Sequence, residues 1–152
     1  TYSLILEDDA KLCDNFKDKL EIYLSQLPED YDMLFIGNGC NLHIPNNKIQ
    51  PNKYIYFKNN IPIACQLDIK NWNVNWGIGV ARCTDSYLIS KNCANKILNY
   101  FNNINIENSI NHPIDFWLND IIKILNLNIY WAEPTIISQG TQCGIFKSSI
   151  GH

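Results

Sequence analysis

The first part of the sequence predicts a strand, a helix and a second strand in immediate succession, and this order constrains the fold most. Tyr2 to Leu6 is a short apolar run that ends abruptly in acidic residues, as a buried strand does at its carboxyl end. Leu12 to Leu27 carries apolar residues at three- and four-residue steps, which predicts an amphipathic helix ended by Pro28. Tyr31 to Ile36 is the next apolar run, stopped by Gly37. Strand, helix and strand in this order are the unit of a parallel sheet.

Further strands and helices are predicted along the rest of the chain. Cys40 to Asn75 is polar and interrupted by prolines, and a connection this long usually covers a site. Val80 to Ile89 then predicts one or two strands, and Ser90 is placed to cap a helix. Pro113 opens another helix, and Asn128 to Trp131 predicts a last strand.

The composition is typical of one soluble globular domain. The 152 residues are 46% hydrophobic, and 12 basic against 15 acidic side chains give a net charge of −3. We therefore predict a single α/β domain over residues 1–152, with a mostly parallel central sheet flanked by helices. The sequence has no basic stripe suited to phosphates and no apolar run of about 18 residues, so we expect neither nucleic-acid binding nor a membrane span. The compartment stays open, with the cytoplasm slightly favoured.

Cysteines are spread at irregular intervals, with no C-x-x-C pair and no zinc-type spacing. A core of this size does not need disulfide bonds for its stability, so we interpret the cysteines as ordinary buried thiols in preference to a disulfide set. The six positions are Cys13, Cys40, Cys65, Cys83, Cys93 and Cys143.

The acidic triplet Glu7, Asp8 and Asp9 directly follows the first predicted strand. Adjacent carboxylates repel one another, and a divalent cation is an economical way to offset that repulsion. Hard oxygen ligands suit Mg²⁺ or Mn²⁺, which typically keep waters and bind a diphosphate beside one or two carboxylates. The alternative is a solvated acidic turn at the start of the following helix, and the triplet alone does not separate the two.

Asp115 is the second candidate, two residues past Pro113 and so in the first turn of a predicted helix. An acidic residue there is commonplace as a partner of the helix dipole. His112, just before it, is equally consistent with an ordinary loop histidine.

Five segments of the chain resemble glycosyltransferase family 25, which includes bacterial lipooligosaccharide transferases and the collagen galactosyltransferases. They follow the family's order with comparable gaps and cover nearly the whole chain. The segments are LILEDDA at Leu4–Ala10, YDMLFIG at Tyr31–Gly37, TDSYLISKNCA at Thr84–Ala94, PID at Pro113–Asp115, and the terminal run Gln139–Ile150.

The resemblance implies a GT-A-like fold and an inverting transfer of a sugar from a nucleotide donor to an acceptor hydroxyl on a glycan or protein. The expected donor is a UDP-sugar, with Mn²⁺ or Mg²⁺ as the cofactor. By the same resemblance, Asp9 would bind the cation and Glu7 the ribose or the waters of the metal. Asp8 is open between these roles, and His152 could complete the metal shell.

Asp115 is the general base that the resemblance suggests, since inversion needs a base opposite the leaving group. Asp85 and Glu133 are its rivals, because they lie beside other matched segments. Trp72 and Trp76 are consistent with an aromatic platform for a sugar ring, or with plain core packing.

One departure from the family concerns the residues before the acidic triplet. In the family a sizeable βαβ segment that cradles the nucleoside precedes this motif, and here the chain begins almost at the motif. The alternative function is therefore a non-catalytic glycosyltransferase-like binding domain, or a fragment, that has lost donor binding. A metal-dependent phosphohydrolase is a third option, without a recognisable nucleophile motif.

Overall fold

The computed structural model describes residues 1–39, 42–58, 81–104 and 113–147, together with the backbone of residues 64–65. The helices are α1 (Phe16–Gln26), α2 (Lys91–Asn102) and α3 (Ile114–Ile124), with a short 3-10 turn at Asn46–Lys48. The strands in chain order are β1 (Tyr2–Leu6), β2 (Ala10–Leu12), β3 (Met33–Phe35), β4 (Leu42–His43), β5 (Ile55–Phe57), β6 (Ala64–Cys65), β7 (Ser86–Ser90), β8 (Ile129–Ala132) and β9 (Ile137–Gln139).

The main sheet has five strands in the order β1-β7-β3-β8-β5. Strand β7 runs antiparallel to both of its neighbours, β5 runs antiparallel to β8, and β3 pairs with β8 in parallel. The prediction of an α/β fold is confirmed, but the prediction of a mostly parallel sheet is wrong. Strands β1 and β3 do share one direction, as the strand-helix-strand pattern predicts. The sequence pattern does not reveal that β7 lies between them with the opposite direction.

Strand β1 begins and ends as predicted, but it is not buried. It forms an edge of the sheet, paired with β7, and Tyr2 and Leu6 are each 42% exposed. An apolar run predicts a strand without saying whether that strand is central or at an edge.

Helix α1 starts later than the apolar periodicity predicts. The residues Ala10–Leu12 instead form β2, which pairs with β9 in a small antiparallel sheet. Asn15, with a φ of 56°, then turns the chain into the helix.

Helices cover both faces of the main sheet, and alternation along each strand explains how. In β3, Met33 and Phe35 belong to the core cluster that contains Trp117 and Ile121 of α3. Leu34, which points the other way, belongs to the cluster that contains Leu20 and Tyr23 of α1. The predicted flanking helices are therefore confirmed.

The predicted start of α2 is also confirmed. The Ser90 hydroxyl caps the helix by accepting a hydrogen bond from Cys93 N at 3.0 Å. Among the helices that the structure describes, none has the length and apolar character needed to cross a bilayer.

Cysteines in the described part of the chain are all free thiols, but they are not all buried. Cys93 is buried, Cys13 and Cys83 are half-buried, and Cys143 is exposed. The prediction of buried thiols therefore holds for Cys93 and is wrong for Cys143, which lies in a turn after β9. Cys40 and the side chain of Cys65 lie outside the described residues.

Candidate active site at one edge of the sheet

One edge of the main sheet collects most of the polar residues singled out by sequence. Since β1, β3 and β8 run in one direction and β7 in the other, the ends of the first three meet the start of β7. Glu7 follows β1, Gly37 follows β3, Glu133 follows β8, and Asp85 precedes β7. Neighbouring strands lie about 4.8 Å apart, so these residues form a row along a single edge.

Glu7 is exposed, yet hydrogen bonds hold its side chain in place. Its Oε1 accepts from Thr84 Oγ1 at 2.9 Å, and its Oε2 accepts from Gln139 Nε2 at 3.1 Å. Its backbone N–H donates to the Asp85 carbonyl at 3.0 Å. The acidic loop is therefore attached to the start of β7 and to the end of β9.

Asp9 is half-buried, and its two carboxylate oxygens differ in their hydrogen bonding. Its Oδ2 accepts from Thr141 Oγ1 at 2.5 Å and from Thr141 N at 3.2 Å. Its Oδ1 is buried and has no hydrogen-bond donor within the described part of the chain. Burying a carboxylate oxygen without a partner is costly, so this atom is suited to a cation or a donor group that binds there.

Asp8 is exposed, and His152, the other predicted metal ligand, lies outside the described residues. Among the residues that the structure does describe, no group of three or more His, Cys, Asp or Glu side chains is arranged to hold a metal ion. A site built from Glu7 and Asp9 would be of the Mg²⁺ type, in which waters and substrate phosphates supply the remaining ligands. The donor chemistry of these two residues fits such an ion.

Asp85 is the most deeply buried carboxylate at this edge, with 1% of the residue exposed. Burial raises its pKa to about 6, and nearby Glu7 adds to the rise, against the opposing effects of the Ser86 hydrogen bond and of Arg82. Its Oδ2 accepts from Ser86 Oγ at 3.0 Å. Over the part of the chain that is described, its Oδ1 has no hydrogen-bond partner.

Two glycines make room for Asp85. A Cβ on Gly37 would collide with Asp85 Oδ2 and with Ser86 Oγ, and a Cβ on Gly39 would lie 2.7 Å from Asp85 Oδ1. Only residues without a side chain let the end of β3 approach this carboxylate so closely.

Glu133, one of the predicted rival bases, is engaged in a buried cluster. Its carboxylate accepts from the Arg82 guanidinium and from Ile44 N at 3.0 Å, and it contacts His43 Nδ1 at 3.1 and 3.2 Å. Arg82, which is fully buried, also donates to Leu42 O at 2.5 Å and to Ala132 O at 2.9 Å. Burial lowers the pKa of Arg82, against the raising effect of Glu133.

Asp115 lies in the first turn of α3, as predicted. Its Oδ1 accepts from the next backbone N–H, that of Phe116, at 2.9 Å. One turn further on, Asn119 Oδ1 accepts from Ala81 N at 2.9 Å, so the start of α3 lies near the residues that lead into β7. No hydrogen bond within the described residues joins Asp115 to Glu7, Asp8 or Asp9, and its role as a base stays a prediction.

Comparison with known protein families identifies the family of the chain. The family described as "Glycosyltransferase family 25 (LPS biosynthesis protein)" matches residues 1–118, which is most of the chain. The chain belongs to glycosyltransferase family 25. A search of curated proteins and a search of solved structures each found no match. Membership in family 25 makes the chain a glycosyltransferase, and it implies a sugar donor and an acceptor.

Sequence reasoning placed the family 25 acidic triplet correctly at the end of a strand but missed the residues that hold it. Thr84, Gln139 and Thr141 are ordinary polar residues, and nothing in their spacing marks them. Arg82 did carry a signal, because it is the only arginine in the sequence and lies within the segment Val80 to Ile89 that is predicted to form strands. The predicted positions His112, Trp72 and Trp76 lie outside the described residues.

Proposed function

We propose that this chain catalyses a metal-dependent, inverting transfer of a sugar from a UDP-sugar to a hydroxyl of a glycan or protein acceptor. The observation that supports it most is Asp9 Oδ1, buried and without a donor among the described residues, in the acidic segment of a family 25 chain. The GT-A-like arrangement implied by the resemblance is part of this proposal.

Donor binding in this proposal depends on Asp9 and Glu7. Asp9 Oδ1 would bind the cation, while Thr141 keeps the carboxylate oriented through Oδ2. Glu7, held by Thr84 and Gln139, would bind the waters of the ion or the ribose, and exposed Asp8 is available for either contact. A bound Mn²⁺ or Mg²⁺ stabilises the negative charge that develops on the leaving diphosphate.

Acceptor activation in an inverting transfer needs a base on the face opposite the leaving group. Asp115 is the base suggested by the family resemblance, and its place at the start of α3, near the residues leading into β7, agrees with that role. An Asp115→Asn variant tests it: if Asp115 is the base, the transfer rate should fall by about 100-fold or more without weaker UDP binding, and a rate close to wild type would assign the role to another residue.

Thermal unfolding with UDP and Mn²⁺ tests the donor side of the proposal. UDP and Mn²⁺ together should raise the melting temperature of the wild-type protein more than either does alone, because a ligand that binds only the folded state stabilises it. Asp9→Asn should abolish that rise. Asp18→Asn, an exposed acidic residue in α1, is the matched control and should leave it intact. A wild-type protein that no nucleoside diphosphate stabilises in the presence of Mn²⁺ or Mg²⁺ would contradict the proposal.

A further inference from the structure

His43 and Glu133 form a carboxylate–imidazole pair at the same edge of the sheet. His43 ends β4, Glu133 follows β8, and both carboxylate oxygens lie within 3.2 Å of Nδ1. Arg82 and Ile44 N hold the carboxylate from other directions, so it cannot turn away from the imidazole. The ring is therefore fixed by a buried partner, as in proteins where a carboxylate orients a catalytic histidine.

The contacts of Nδ1 determine which ring nitrogen is free to act as a base. A lone pair on Nδ1 would face the negative carboxylate and be repelled, whereas an N–H there donates to it. The Arg82 guanidinium also lies 3.3 Å from Nδ1, but this contact is longer and the same guanidinium already donates to Glu133. Nδ1 therefore carries the hydrogen of the neutral ring, and Nε2 carries the lone pair.

His43 is also the accessible member of this cluster. Its side chain is 25% exposed, against 8% for Glu133 and 0% for Arg82. An incoming hydroxyl can therefore reach the imidazole, while the carboxylate and the guanidinium serve to position it.

The segment that leads into β7 connects this pair to the acidic loop. Arg82 binds Leu42 O and Glu133, and Thr84, only two residues later, donates to Glu7. Glu7 and Glu133 follow strands that lie three positions apart in the sheet, or about 14 Å, and the segment from Arg82 to Thr84 runs between the two clusters. A donor bound at the acidic loop would therefore extend along this edge of the sheet to bring its sugar to His43.

We propose that His43 Nε2 is the general base that takes the proton from the acceptor hydroxyl, with Glu133 and Arg82 as positioning residues. As Nε2 takes the proton, the hydroxyl oxygen forms a bond to the anomeric carbon of the donor. The bond from that carbon to the diphosphate oxygen breaks, and its electron pair leaves with the nucleoside diphosphate. The inference rests on the proposed transfer reaction and gives His43 the role that the family resemblance suggests for Asp115.

The first test is the protonation state of His43, measured by long-range ¹H–¹⁵N correlation on the labelled full chain. His43→Gln identifies the signals. We expect Nδ1 to carry the hydrogen and Nε2 to be unprotonated in the neutral ring. Hydrogen on Nε2, with Nδ1 accepting from Arg82, would overturn the assignment. This test does not require a nucleotide sugar that the protein uses as a donor.

The second test is hydrolysis of UDP-galactose or UDP-glucose, in which water takes the place of the acceptor hydroxyl. His43→Gln should lower kcat by about 100-fold or more and remove the rise of kcat with pH. It should keep the UDP- and Mn²⁺-dependent rise in melting temperature. Lys48→Gln, an exposed change in the 3-10 turn that follows His43, should keep full activity.

The outcomes separate this inference from the proposed function. A wild-type kcat and pH profile in His43→Gln, together with a large loss in Asp115→Asn, would refute the role of His43 and leave the transfer reaction standing. Failure of the wild-type protein to bind UDP with Mn²⁺ would instead refute the proposed function.

Discussion

Asp85 shows how much the properties of one residue depend on where the chain places it. The sequence marks it only as an acidic residue beside a strand, and its burial at the start of β7 raises its pKa from 3.8 to about 6. Gly37 and Gly39, which are distant in the sequence, lie close to its carboxylate. No local pattern predicts the rise in pKa, because burial is decided by the order of strands in the sheet.

The raised pKa of Asp85 predicts that this residue destabilises the fold at neutral pH. Because the folded state holds the proton more tightly, the contribution of Asp85 to stability falls as pH rises from about 4 to 6 and stays low above that. The difference in pKa corresponds to roughly 3 kcal/mol. Asp85→Asn should therefore gain stability relative to wild type across this window, as measured by urea unfolding at several pH values. An equal pH dependence in the two proteins would contradict the shift.

Gly37 gives a second prediction at the scale of single residues. Gly37→Ala places a Cβ against Asp85 Oδ2 and Ser86 Oγ, and overpacking of this kind costs about 1–3 kcal/mol. Gly144→Ala is a useful comparison, because Gly144 has open space around it but a φ of +69°. In an Asp85→Ala background, denaturant titration should show a smaller loss of stability from Gly37→Ala than in the wild-type background, and an unchanged loss from Gly144→Ala. An unchanged loss from Gly37→Ala would show that the clash is not with Asp85.

At the scale of secondary structure, the sequence predicts helices better than it predicts strand partners. The starts of α2 and α3 are fixed by Ser90 and Pro113, which act on the residues next to them. The pairing of Ala10–Leu12 with β9 depends on a segment more than 120 residues away, as the register of Ala10 with Gln139 shows. The start of α1 was therefore predicted too early, and β9 was not predicted.

The cap of α2 is a local device whose contribution can be measured by itself. Ser90→Ala removes the hydroxyl that accepts from Cys93 N and should lower the free energy of unfolding by about 1 kcal/mol. Ser25→Ala is the matched control, since its exposed hydroxyl only donates to Ile22 O within α1. Urea unfolding should show a smaller loss for Ser25→Ala. A loss for Ser90→Ala no larger than for Ser25→Ala would mean that the cap contributes little.

At the scale of the whole molecule, the sequence predicts where the candidate site lies but not which residues meet there. The family resemblance and the end of the first strand place the acidic triplet at the carboxyl end of β1, at the edge where the candidate site lies. Strand β7, inserted against the direction of its neighbours, then brings Arg82, Thr84 and Asp85 to that edge. Because β7 brings together residues that are distant in the sequence, the contacts among His43, Arg82 and Glu133 are visible only in the three-dimensional structure.

The reactivity of the Cys93 thiol measures how readily the core between the main sheet and its helices opens. This thiol is buried beside Met33 and Phe35, and burial raises its pKa to about 12, so it is both shielded and almost wholly protonated at neutral pH. Cys143, which is exposed, should react with a thiol reagent at once, whereas Cys93 should react only when the core opens. Mass spectrometry of peptides from labelled protein distinguishes the two sites. The labelling rate of Cys93 should rise with urea in step with global unfolding, and rapid labelling in native buffer would show that α2 opens independently of the sheet.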